Sequence, residues 1–252
     1  MGTSTPTGPI DAARRALERE RRQLREEVDA FTAFGERVVE LEATQPRAGR
    51  RQTRIAASSS TALESVRDAY AETVMDVSHY ELAYDESLGD HMAGELGEEV
   101  AAAVTSSQSL HPPLKRSLIT TINEAIRTRK RVLALIDGEE ERLDEAERTV
   151  VDTIERIDSI LDQPIDRMEF NSLRLTRERL LDLRAECDDL VDERQDFLEQ
   201  QRRELPDPMT GLAEYLYQYC ETTFPLLAVY ARLADVIDRS IERTERRLSE
   251  AS

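Results

Sequence analysis

Ile10, Leu17, Leu24, Phe31 and Val38 recur at intervals of seven residues. On a helix of about 3.6 residues per turn, such a strict heptad draws one apolar stripe, which leaves water only by facing another helix. Phe34 and Leu41 fill companion heptad positions, while Glu20 and Glu27 interrupt them. Pairs such as Glu18/Arg22 and Arg22/Glu26 suit an exposed opposite face. A chain carrying this seam is built on helix–helix packing.

The same reading extends along the chain. Leu63, Val66, Tyr70, Val74 and Val77 keep helical spacing, followed by Tyr80, Tyr84, Leu88, Met92 and Leu96. A short helix covers about Glu98 to Ser106, and His111-Pro112-Pro113 is a firm stop. From Leu114 to about Leu161, residues including Ile122, Ile136, Leu143, Val150 and Ile157 hold a 3/4/7 pattern. Asp137-Gly138 is where a kink or fraying is expected, and Glu139, Glu140 and Glu141 after it are expected in solvent. Leu173, Leu180, Leu183, Cys187, Leu190 and Phe197 form another seam, ended by Pro206, Pro208 and Gly211. Leu212, Tyr215, Leu216 and Tyr219 read as one face of a short helix. Pro225 opens the last helix at a tolerated position, with Leu226, Tyr230, Leu233, Ile237, Ile241 and Leu248 as its stripe.

These patterns predict an all-α fold, an elongated antiparallel helical bundle or coiled coil. Residues 1–8 read as a disordered leader, 9–43 as a long helix and 44–60 as a linker loop containing Pro46, Gly49 and a serine run. Residues 61–110 read as short central helices opened by a Thr61/Glu64 capping box. Residues 113–252 read as a long-helix bundle forming one domain with helix 9–43.

Composition agrees with helices. Only 5% of residues are aromatic, there is no Trp, and 34% are charged. A sheet protein of this length needs more turns and more aromatic and β-branched residues. Asp and Glu total 52 against 34 Lys and Arg, a net charge of −18, and the only lysines are Lys115 and Lys130. Excess carboxylate with scarce lysine suits molar salt, where a Debye length of about 3 Å screens the surface. An acidic surface disfavours nucleic acid and anionic lipid as general partners. With no apolar targeting segment, a cytoplasmic location is expected.

The residues give no chemistry to assign. HExxH, GxSxG, P-loop and GxGxxG motifs are absent. Of His79, His91 and His111, only His79 lies three residues after a carboxylate, Asp76, as a di-metal bundle site would need. Cys187 and Cys220 lack C-x-x-C spacing and read as reduced small hydrophobes. Tyr70, Tyr80 and Tyr84 read as core lining, with a tyrosine-lined pocket as the alternative. No catalytic, cofactor-binding or metal-ligating residue is assigned, and no cofactor is expected.

Three stretches carry a resemblance: Tyr70 to Gly97 (YAETVMDVSHYELAYDESLGDHMAGELG), Leu183 to Gln195 (LRAECDDLVDERQ) and Thr222 to Arg239 (TTFPLLAVYARLADVIDR). With the Arg-rich first helix, they resemble a helical family of halophilic archaea, a domain of unknown function. The resemblance implies a cytoplasmic haloarchaeal source and brings no activity, cofactor or catalytic residue.

One feature opposes the acidic field. Arg47, Arg50, Arg51 and Arg54 cluster without an acid among them, near Arg14, Arg15, Arg19, Arg21, Arg22 and Arg25 of the first helix. They could contact nucleic-acid phosphate. They could equally pair with acidic helices of the same chain or of a second subunit, which the overall charge favours. The functional expectation is a non-enzymatic interaction or scaffold protein, meeting a protein partner or itself through helix faces. The alternative is a regulatory protein touching nucleic acid through the 47–54 loop.

Overall fold

A computed structural model describes residues 7–43, 52–80, 86–107, 109–162, 164–204 and 211–250. Every regular element among them is helical: α1 (Gly8–Glu40), α2 (Gln52–Thr73), α3 (Leu88–Leu96), α4 (Glu98–Ser106), α5 (Pro112–Ile160), α6 (Phe170–Glu204), α7 (Leu212–Leu216) and α8 (Pro225–Glu250). Short 3-10 turns cover Val74–Asp76 and Ile165–Arg167.

Two boundaries differ from expectation. Residues 52–60, expected in the 44–60 linker, lie in α2, so Thr61 sits inside a helix rather than at its cap. The fraying expected at Asp137-Gly138 is also absent: α5 is helical through both residues, because one glycine lowers helix propensity by only about 1 kcal/mol. The buried seam positions on either side, Ile136 and Leu143, outweigh that.

The chain divides into two compact units, one of residues 1–19 with 137–252 and one of residues 20–136. These units cut across the expected grouping of helix 9–43 with 113–252, since α1 and α5 each contribute residues to both. Seam residues of α1 and α5 are shared out between two separate cores.

In the 20–136 unit, the α1 seam buries Phe31, Phe34 and Val38 against Leu63, Val66 and Tyr70 of α2. Phe34 meets Tyr70 edge-on, with centroids 5.2 Å apart. Met92, Leu96, Val104, Leu118 and Ile122 complete this core. Gly97 is required between α3 and α4: its φ of 90° is a conformation side chains resist. There its N–H donates to Ala93 O at 3.0 Å and its carbonyl accepts from Ala101 at 3.1 Å. Ser87 caps α3 by accepting from Asp90 N at 3.3 Å. Lys115 Nζ closes the end of α1, donating to Val39 O at 2.7 Å and Leu41 O at 2.6 Å.

In the other unit, α6 and α8 pack along one another. Leu173, Leu180, Leu183 and Cys187 of α6 and Leu226, Leu233, Ile237 and Ile241 of α8 are buried. So are Ile10 and Leu17 of α1 and Leu143, Val150 and Ile157 of α5. The expected face of the short helix is corrected here. Leu212 and Leu216 are buried, but Tyr215 and Tyr219 are exposed, and Tyr217 is the tyrosine inside. α7 lasts five residues, and the turn after it breaks the helical period and swings Tyr217 inward.

Candidate functional site

Each unit holds a buried polar cluster. In the 20–136 unit, Glu27 interrupts the α1 seam, and the interruption is filled by partners. Arg129 Nε donates to one oxygen of Glu27 at 2.6 Å, and its Nη2 donates to Glu95 at 2.8 Å. The buried ring of His79 stands 2.8 Å, through Nε2, from the second oxygen of Glu27. A carboxylate only accepts, so the proton is on Nε2. The Arg129 guanidinium also lies 4.5 Å from the Phe31 ring centroid, a cation–π contact at the seam. Burial opposes its charge, but the two carboxylates more than offset this and raise its pKa.

His91 is buried beside this cluster. Its Nδ1 and the Tyr70 hydroxyl share a 2.8 Å hydrogen bond, and the Tyr80 ring meets it edge-on at 5.0 Å. Burial holds its pKa below the usual histidine value, against the pull of Glu95 and Glu86. Tyr70 and Tyr80 thus line the core as expected, while Tyr84 lies outside the described residues.

The second cluster overturns an expectation. Glu139, expected in solvent, is 7% exposed. Arg194 of α6 grips it with two parallel hydrogen bonds of 2.6 and 3.0 Å, and the Tyr217 hydroxyl donates to it at 3.0 Å. Burial first, then the Glu139 charge, pushes the Tyr217 hydroxyl far up in pKa. The Phe197 ring stacks under Arg142 at 3.8 Å and lies 5.3 Å from Arg194. The cluster anchors three segments of its unit, with Arg194 Nε left without a hydrogen-bond partner among the described residues. Glu140 is half-buried and Glu141 exposed.

Cys187 is buried, its thiol donating to Tyr230 O at 3.4 Å, and burial raises its pKa. Cys220 is half-buried, and both cysteines are free. Among the described residues, no group of three or more His, Cys, Asp and Glu is placed to hold a metal ion.

Two accessible features remain. The first is an apolar groove of about 430 Å³ in the 20–136 unit, lined by Gly35 and Val39 of α1 and by Ile119, Ile122 and Ile126 of α5. Gly35 admits the close approach here, since a Cβ on it would stand 3.2 Å from the Ile122 side chain. The exposed Glu36 and Glu40 rim the groove. The second is a hollow in the other unit, lined by Arg15 and Arg19 of α1, Arg232 of α8, and the Tyr219–Thr222 turn.

The basic residues singled out from the sequence divide accordingly. Arg14 pairs with Asp144 and Glu147, both at 2.6 Å, as an acidic partner helix would have it. Arg15 and Arg19 face the hollow instead. Arg47, Arg50 and Arg51 lie outside the described residues, and Arg54 falls within α2. Sequence reasoning missed Glu27, Arg129, Glu139, Arg194 and Tyr217. Glu27 carried a signal, an acid at an apolar heptad position, whereas Glu139 sat in an acidic run that looks like a solvated face.

No helix among the described residues is long and apolar enough to cross a membrane. A family model described as a domain of unknown function (DUF7260) matches residues 8–240. No curated protein and no solved structure matches the chain.

Proposed function

The chain belongs to the DUF7260 family, and we propose that it is a non-enzymatic interaction protein, engaging a partner through helix faces in the cytoplasm of a halophilic archaeon. The observation that carries this reading is the groove at Gly35. The seams of both units are consumed internally, yet here Val39 stands 57% exposed beside the half-buried Ile119 and Ile126. A groove between two helices suits the apolar face of a third helix, read as anchors three and four residues apart. Glu36 and Glu40 on its rim select a partner helix whose flank is basic. The buried charges support a structural rather than catalytic use, because Glu27 and Glu139 hold Arg129, His79, Arg194 and Tyr217 in fixed pairs. The haloarchaeal source is supported by 52 acids against 34 bases, of which only Lys115 and Lys130 are lysines.

A photo-crosslinking residue at Val39, with one at exposed Val151 as control, tests this in native high-salt lysate. The expected product is a single adduct at position 39 on a basic amphipathic segment, lost when Ile126 is changed to Glu. Adducts equal at both positions would defeat the reading. An adduct to a second copy of this chain would replace the partner with self-association.

A further inference from the structure

We infer that the hollow lined by Arg15, Arg19 and Arg232 is a binding site for a small organic anion, one bearing a carboxylate or a phosphate monoester. Its volume of about 500 Å³ falls within the range of small-molecule pockets. Three guanidinium groups line it in a chain whose acids exceed its bases by 18 charges. In such a chain arginines find carboxylates easily, and the adjacent Arg14 has two. Among the described residues, Arg15 and Arg19 have none. They stand at i and i+4 on α1, where like charges oppose the helix. An anion seated between them removes that repulsion and takes the forked hydrogen bonds that guanidinium offers to carboxylate and phosphate.

The rest of the lining fits a small ligand. The Thr222 hydroxyl oxygen accepts from Phe224 N at 3.2 Å, which leaves its O–H to donate into the hollow. Pro9, Ala12 and Ala228 give an apolar floor for a carbon skeleton, and Tyr219, 85% exposed, stands at the rim. Glu221 also lines the hollow and is exposed. That carboxylate disfavours an extended polyanion over a small anion held between Arg15 and Arg19. The site is independent of the Gly35 groove.

Isothermal titration of the full chain with inorganic phosphate, glycerol 3-phosphate and citrate tests this, with ionic strength held constant by KCl. Saturable binding of at least one is expected, weakened at least tenfold by Arg15→Gln with Arg19→Gln. These two side chains are exposed, so the thermal midpoint without ligand should stay within about a degree. Each single variant provides a second test should the double variant fold poorly. Binding of phosphate or its monoester alone names a phosphate ligand, and binding of citrate alone names a carboxylate. The inference fails if none of the three saturates, if the variants bind like the parent, or if only an RNA 20-mer binds.

Discussion

Glu139 and Arg194 sit 55 positions apart and meet in a two-pronged ion pair with side chains only 9% and 5% exposed. A pair so deep is costly to break, because removing one charge strands the other in a low dielectric. Glu139→Gln is therefore expected to destabilise by about 3–5 kcal/mol. Replacing both partners with apolar residues, Glu139→Leu with Arg194→Met, should recover much of that loss. Tyr217→Phe, which removes one hydrogen bond to a carboxylate, should cost about 1.5–3 kcal/mol. Denaturant unfolding of the four proteins measures all of this. A double variant no better than Glu139→Gln would mean that packing, not charge, sets the loss.

Leu24 lies on the α1 seam and is buried. Leu24→Ala is expected to destabilise by about 2–5 kcal/mol, the range for truncating a buried leucine. An unchanged thermal midpoint would place this position in solvent and contradict the seam.

His91 ties stability to pH. Its folded pKa is depressed by burial, so between that value and the unfolded value of about 6.5 the unfolded chain binds more protons. Its contribution is complete above about pH 6.5 and falls as pH drops below it. Glu26, held low chiefly by the Ser78 hydroxyl, and Glu186, held low chiefly by Arg156, work at lower pH. Their stabilisation is lost only as pH falls below the ordinary carboxylate value of 4.5. The thermal midpoint should thus decline between pH 6.5 and 4.5, and His91→Phe should flatten that interval. An unaltered slope in the variant would remove His91 as its source.

Salt acts on the whole surface. Glu140/Asp144 and Glu141/Glu145 are like-charge pairs at i, i+4 on α5, and Asp188, Asp189, Asp192, Glu193 and Asp196 crowd α6. Arginines answer part of this: Arg14 reaches across to Asp144, and Arg184 holds Asp188 on its own helix and reaches across to Asp238. Those exposed pairs are worth little each, whereas the net charge of −18 is not cancelled. The thermal midpoint should rise as KCl increases from about 0.05 M to 3 M, through screening of that excess. A flat midpoint across the titration would count against adaptation to molar salt.

Gly138 lies within α5, and a Cβ there would meet the Arg142 guanidinium at 3.2 Å, at the far end of a long side chain that can shift. Gly138→Ala is expected to stabilise by up to about 1 kcal/mol in denaturant unfolding. Destabilisation would show that this turn needs its glycine.

Periodicity carried the fold into view, because burial follows the helical repeat at Ile10, Leu17, Phe31, Leu180 and Ile237. It could not reveal Glu139. That carboxylate is buried by Arg194 and Tyr217, the latter 78 positions away on a turn that leaves the helical period. A local pattern records only its own helix. The hollow is hidden for the same reason: Arg15 and Arg19 were visible as a basic crowd, but their convergence needs Arg232 of α8. Glu27 was the legible exception, since an acid on an apolar seam requires a partner wherever it comes from.

Lys115 gives the chain an unusual exposure to acyl-transfer chemistry. It is one of two lysines, and its ammonium ties down the last carbonyls of α1. An acetylated ε-nitrogen keeps a single N–H and no charge, so it cannot hold both Val39 O and Leu41 O. Lys130, exposed on α5, has no such duty among the described residues and would accept the same group without consequence for a helix end. Of the two lysine amines, one can be acylated away from any helix end and the other is a clasp on the end of α1.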